Sequence, residues 1–131
     1  MNRPVYYKYM FIVGAIHNWV AALIFLFAYK ELFALFGMEP MNYPVIMQLF
    51  MGLVIVLGIG YFWVGLNINQ NHDIVKLGVI GKITVVLLLT GHWLMGDVPV
   101  YMVFCASGDV IFTILYIEFL LNFAKTREAN E

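Results

Sequence analysis

Of 131 residues, 63% are hydrophobic and 11% charged, against roughly 45–50% apolar and about 25% charged in a soluble domain, so a water-soluble globule is excluded. Seven Lys plus Arg against eight Asp plus Glu leave a formal net charge of -1, which offers no basic surface to DNA or RNA. A single cysteine, Cys105, rules out an internal disulfide.

The apolar residues fall into four runs, each of the length needed to cross a hydrocarbon layer of about 30 Å. The first extends from about Tyr9 to Tyr29. It is too long for the hydrophobic region of a signal peptide and leads into Tyr29-Lys30-Glu31 with no small-x-small cleavage site, so it is expected to stay in the mature protein. The next stretch, Lys30 to Phe36, either continues this helix or lies along the membrane surface, where its aromatics suit the interface. Gly37 to Pro44, with Gly, two prolines and Asn42, reads as a loop.

The second run goes from about Pro44 to Leu66, the third from about Ile74 to Leu94 and the fourth from about Val98 to Leu121. Asn67 to Asp73 is a polar connector, with Asp73 expected to cap the third helix from a solvated turn, and Gly96-Asp97-Val98-Pro99 is a short turn. Lipid offers the backbone no hydrogen-bond partner, so each run must be helical. Short loops make sequential helices antiparallel neighbours. The expected fold is all-α: one four-helix transmembrane domain over residues 1–131 in an up-down bundle. Arg3, Lys8, Lys76, Lys125 and Arg127 flank the N-terminus, second loop and C-terminus, whereas the first and third loops hold only Lys30. By the positive-inside rule both termini face the cytoplasm, and the tail from Lys125 to Glu131 is expected to be frayed.

An ionisable residue inside a span costs about 2.5–3.5 kcal/mol on insertion scales and defaults to being paired or functional. At a rise of about 1.5 Å per residue from the cytoplasmic ends, His17 lies about 13 Å deep, Lys82 about 12 Å, Asp109 about 18 Å and Gly58 about 12 Å. Asn18 adjoins His17. A lysine side chain reaches far enough to join Lys82 to Asp109. By helical spacing Gly78 and Leu89 share a face with Lys82; Cys105, Ala106, Thr113 and Tyr116 share one with Asp109; and Glu118 points to the opposite side, within reach of water. His17, Asn18, Lys82 and Asp109 are therefore the candidates for ligand or proton handling. Gly14, Gly58, Gly78 and Ala106 are expected to leave room for a guest beside them. A register-fixing ion pair with no chemistry accounts for the same four residues equally well.

Gln48 and His92 form a secondary level at about 27 Å, near the outer interface. A metal there lacks a third ligand, so no metal is expected. Haem is also unsupported, because His17 and His92 are about 14 Å apart along the membrane normal. No sequence motif calls for any other cofactor.

The Gly-rich second helix (GLVIVLGIGYFWVG) and the opening of the third with LGVIGK, together with the length and four spans, resemble uncharacterised small four-helix bacterial membrane proteins and, loosely, the DoxX-like group. That likeness implies a bacterial inner membrane and, from relatives associated with quinone-linked redox complexes, an accessory role. Three functions stand open. One is binding or transport of a small amphipathic, lipid-like ligand or of protons; four helices enclose little volume, so a homo-oligomer is expected. The second is a non-catalytic subunit of a larger membrane complex. The third is an enzyme acting on a lipid or isoprenoid, with His17 and Asp109 as acid and base and Lys82 on an anionic head group. Expected partners are membrane lipids in each case.

Overall fold

The structure, a computed structural model, describes residues 3–130, with side chains described over 3–123. The side chains of Lys125 and Arg127, and Glu131 itself, lie outside that part. The chain is all-helical: α1 (Arg3–Leu35), α2 (Pro44–Leu66), α3 (His72–Met95), α4 (Val100–Cys105) and α5 (Ser107–Asn130). α1, α2, α3 and the continuous stretch Val100–Phe123 are long and apolar enough to cross a membrane.

Side-chain pairs set the register. Gly65 of α2 faces Ile12 of α1, and Gly58 faces Asn18 and Trp19, so α2 descends as α1 rises. Ile74 of α3 meets Gly60 of α2, and Tyr61 meets Gly78. His72 packs on Phe119 and Phe123, whereas Lys82 ten residues on reaches Asp109. Tyr7, Phe11 and His17 meet Glu118, Tyr116 and Phe112 in turn. All neighbours in the ring α1–α2–α3–α5 are antiparallel, with the tightest seam between α1 and α2. Glycine makes that seam possible: a Cβ on Gly65 would lie 3.2 Å from the Lys8 carbonyl oxygen, and such close approach is what holds helices together where lipid removes the hydrophobic drive.

The helix ends are chemically explicit. Gly37 (φ +73°) and Gly96 (φ +85°) adopt the left-handed conformation. After α1, Met38 N–H donates to Phe33 O and Gly37 N–H to Ala34 O; after α3, Asp97 N–H donates to His92 O and Gly96 N–H to Trp93 O. Both ends are Schellman caps, which favour glycine at the left-handed position.

Lys30 to Leu35 continue α1 rather than lying on the surface, past a kink at Ala28 (φ -131°, ψ 21°). Beyond it Tyr29 and Phe33 are buried with Met47 and Met51 of α2. Three features differ from expectation. The fourth span is broken at Ala106, where its N–H turns to Val103 O and α5 restarts at Ser107; the Ser107-Gly108 pair that follows is a weak helix former. Asp73 does not cap α3, because the helix already starts at His72 and Asp73 pairs with Lys76 at 3.1 Å. His72 is not solvated either: half-buried between Phe119 and Phe123, its Nε2 lies 2.6 Å from Ile68 O.

The core is unevenly distributed along the bundle. Towards the termini all four walls contribute, with Tyr7, Phe11, Tyr61, Val64, Val75, Val79, Phe112, Tyr116 and Phe119 buried together. Towards the first and third loops the core is built by α1 and α2 alone. No residue of α3 beyond Lys82 is buried and none of α4 is; α4 packs on α3 and α5 without close backbone approach to α1 or α2. The α1/α2 hairpin and the α3/α4 hairpin thus part above Lys82. There Phe36, just past α1, stacks on Tyr101 of α4 at 5.4 Å.

Candidate functional site: a polar network around Lys82

Lys82 sits where the two hairpins part. Its side chain is only 6% exposed, that of Asp109 22%. Nζ donates to Asp109 Oδ1 at 2.9 Å and to Asn18 Oδ1 at 3.2 Å, and lies 5.4 Å from the Tyr61 ring centre and 5.8 Å from that of Phe112. Two of its three donors meet oxygen, and two aromatic faces stand beside the charge. Asn18 closes the network by donating Nδ2 to Val54 O at 3.1 Å, and Trp19 Nε1 reaches the next carbonyl, Ile55 O, at 3.2 Å. Both reach the α2 backbone because Gly58 presents no side chain there. Thr113 Oγ1 donates to Asp109 O at 2.6 Å, fastening the first turn of α5.

Three of the four candidate residues therefore form one network. His17 stands beside it. Its ring packs 5.2 Å from Phe112 and fills the place a Cβ on Gly108 would take, with Nδ1 buried and without a hydrogen-bond partner. Gln48 and His92 do not meet: Gln48 is exposed on α2, and His92 Nδ1 lies 2.8 Å from Asp97 Oδ2, tying the two ends of the α3 cap together.

The room expected at the glycines is occupied by the chain itself. Gly14 receives the Tyr116 hydroxyl, Gly78 that of Tyr61, and Gly58 the side chains of Trp19 and Asn18. Cys105 is exposed and precedes the break at Ala106, so it does not join Asp109 in the network. Glu118 does not point away to water but accepts from Tyr7 Oη at 3.0 Å and from Asn122 Nδ2 at 2.7 Å.

Sequence spacing left out the roles of Tyr61, Tyr116 and Gly108. Each tyrosine is fully buried, and its hydroxyl has no partner, a condition that costs about 1–3 kcal/mol per group unless something fills it. With His17 Nδ1 they are the buried side-chain polar atoms of the described residues left unpaired, and all belong to the layer around Lys82 or the turn below it. The available signal was the pairing of each tyrosine with a glycine on a different helix, which single-helix periodicity does not reveal. Comparison of the chain with protein families, with curated proteins and with solved structures finds no match.

Proposed function

We propose that this is a small integral membrane protein that binds an amphipathic, lipid-like molecule between its α1/α2 and α3/α4 hairpins, with the polar head on the level of Lys82, Asp109, Asn18 and His17. The single observation that carries this reading is a buried ion pair placed where the core shared by all four walls ends, with Asp109 still 22% exposed. The charges of Lys82 and Asp109 cancel, so the network has no net charge to offer an ionised head group; a further charge would be desolvated without a partner. Neutral carbonyl or hydroxyl groups fit best, accepting from Lys82 or His17 or donating to Asp109. From Asp109 to the start of α4 the wall is about 14 Å deep, enough to shelter the first part of an acyl or isoprenoid chain. The basic bias of the termini and second loop supports placing both ends on the cytoplasmic side, so that the part of the bundle above Lys82 lies in the outer leaflet.

The test is native mass spectrometry of the protein released from lipid nanodiscs. Wild type should carry a bound amphiphile of defined mass, and the His17→Phe/Asn18→Leu double variant should lose it while retaining its helical circular dichroism. A folded wild type that carries no such molecule sinks the reading and leaves the ion pair as a packing device, a role the filled glycine notches favour.

A further inference from the structure

The outer ends of α3 and α4 are fastened to each other more than to the rest of the bundle. The notches where α3 meets α2, at Gly60 and Gly78, lie below Lys82, and beyond Lys82 no side chain of α3 is buried. α4 has no buried residue and no close backbone approach to α1 or α2, but it does pack on α3. At the tip Asp97 N–H donates to His92 O, and the Asp97 carboxylate lies 2.8 Å from His92 Nδ1, so the turn between the two legs is tied. We propose that α4 and the part of α3 beyond Lys82 form one arm, about 20 Å long, that is hinged at Gly81 and Ala106, latched to the α1/α2 hairpin by the Phe36–Tyr101 stack, and swings from that hairpin to admit a membrane amphiphile. What enters rests on the ligand reading; the motion does not.

Both legs have a weak point at the base. In α3 it is Gly81, where an added Cβ would meet nothing within 4 Å. This glycine serves no close helix approach, and in a helix interior it adds backbone freedom. In the other leg it is Ala106, whose φ of -88° and ψ of 2° leave the helical region and whose N–H turns to Val103 O. Just below these points the bundle is held: Lys82 bonds Asp109, His17 fills the notch at Gly108, Thr113 fastens Asp109 O, and Phe112 is buried. The hinge and the ion pair therefore share one level, and the pair keeps the two legs together while the arm above it turns.

The latch is a single ring pair. Phe36, in the turn after α1, stacks on Tyr101 with ring centres 5.4 Å and planes 17° apart, and among the described residues no other aromatic pair joins the arm to the α1/α2 side. One such pair is a weak contact that thermal motion breaks and remakes. In water the apolar faces of the arm would hold it shut; in lipid, acyl chains cover them as well as side chains do, so opening costs packing alone.

The experiment is double electron–electron resonance on the full chain in phosphatidylcholine/phosphatidylglycerol nanodiscs, with Cys105→Ser and nitroxide labels on cysteines at two exposed positions, Leu49 of α2 and Phe104 of α4. A second pair, at exposed Val13 and Leu77, reports on the base. Wild type should show one main distance across the outer pair. Tyr101→Ala and Phe36→Leu should each add a population at least 5 Å longer there and leave the base pair unchanged, Tyr101→Phe should keep the wild-type distribution, and Gly81→Ala, which has room for its methyl, should shrink the longer population by at least half in the Tyr101→Ala background. An unchanged outer distance in both latch variants overturns the proposal, as does an equal shift of the base pair or a longer population that Gly81→Ala leaves intact. Native mass spectrometry of the same nanodiscs separates the two readings. An arm that moves with no amphiphile bound supports the hinge and sinks the ligand reading, whereas an amphiphile bound to a protein whose arm stays fixed does the reverse.

Discussion

At the residue scale the decisive interaction is the Lys82–Asp109 pair. Breaking a buried pair by removing one partner costs about 3–5 kcal/mol, whereas replacing both with apolar groups is often near neutral. Lys82→Met and Asp109→Leu should therefore each be strongly destabilising in a denaturant titration of detergent-solubilised protein, and the double variant should be more stable than either. Additive losses would show that the two side chains act independently. The glycine notches make a second prediction. A methyl on Gly14 collides with the Tyr116 hydroxyl, and overpacking of this kind costs about 1–3 kcal/mol. Gly14→Ala should lower stability by that amount and Tyr116→Phe should recover much of it, since removing the hydroxyl leaves the nearest ring carbon 3.2 Å from the new methyl. The pair was legible in the sequence because depth along a helix is a matter of counting and lysine reach is fixed. The Tyr61 and Tyr116 notches were not, since they depend on how two helices are rotated against each other.

At the element scale the α1/α2 seam is the rigid part of the molecule. Gly65 meets backbone, the Lys8 carbonyl, rather than a side chain that can step aside. Gly65→Val should push the two helices apart and cost more than Gly52→Val, whose site has nothing within 4 Å; thermal unfolding followed by circular dichroism compares them directly. Equal losses at the two positions would mean that the seam is not as close as described. The spans themselves were readable, because twenty apolar residues admit only a helix in lipid. The break at Ala106 was not: alanine is the best helix former, and hydropathy passes through it unchanged. The weak helix-forming Ser107-Gly108 pair that follows is compatible with a break without dictating one, and the packing of the His17 ring against Gly108 is visible only in the fold.

At the scale of the whole molecule, the feature that matters is the parting of the hairpins above Lys82. Sequence could not reveal it, because a wall that faces lipid and a wall that faces another helix can be equally apolar. The polar network was read correctly as a level, yet the space beside it was expected at Gly14, Gly58 and Gly78, which the chain fills with its own side chains. Residues on α3 now distinguish the two environments: Leu89 lies two turns above Lys82 on the same face, and Leu87 is among the most exposed side chains of the helix. A photoreactive benzophenone amino acid placed at one or the other position and irradiated in native membranes tests the ligand reading most directly. The account predicts one adduct of defined mass at Leu89, lost when His17→Phe and Asn18→Leu are added, and only bulk phospholipid at Leu87. The same mixture of bulk lipid adducts at both positions would contradict it.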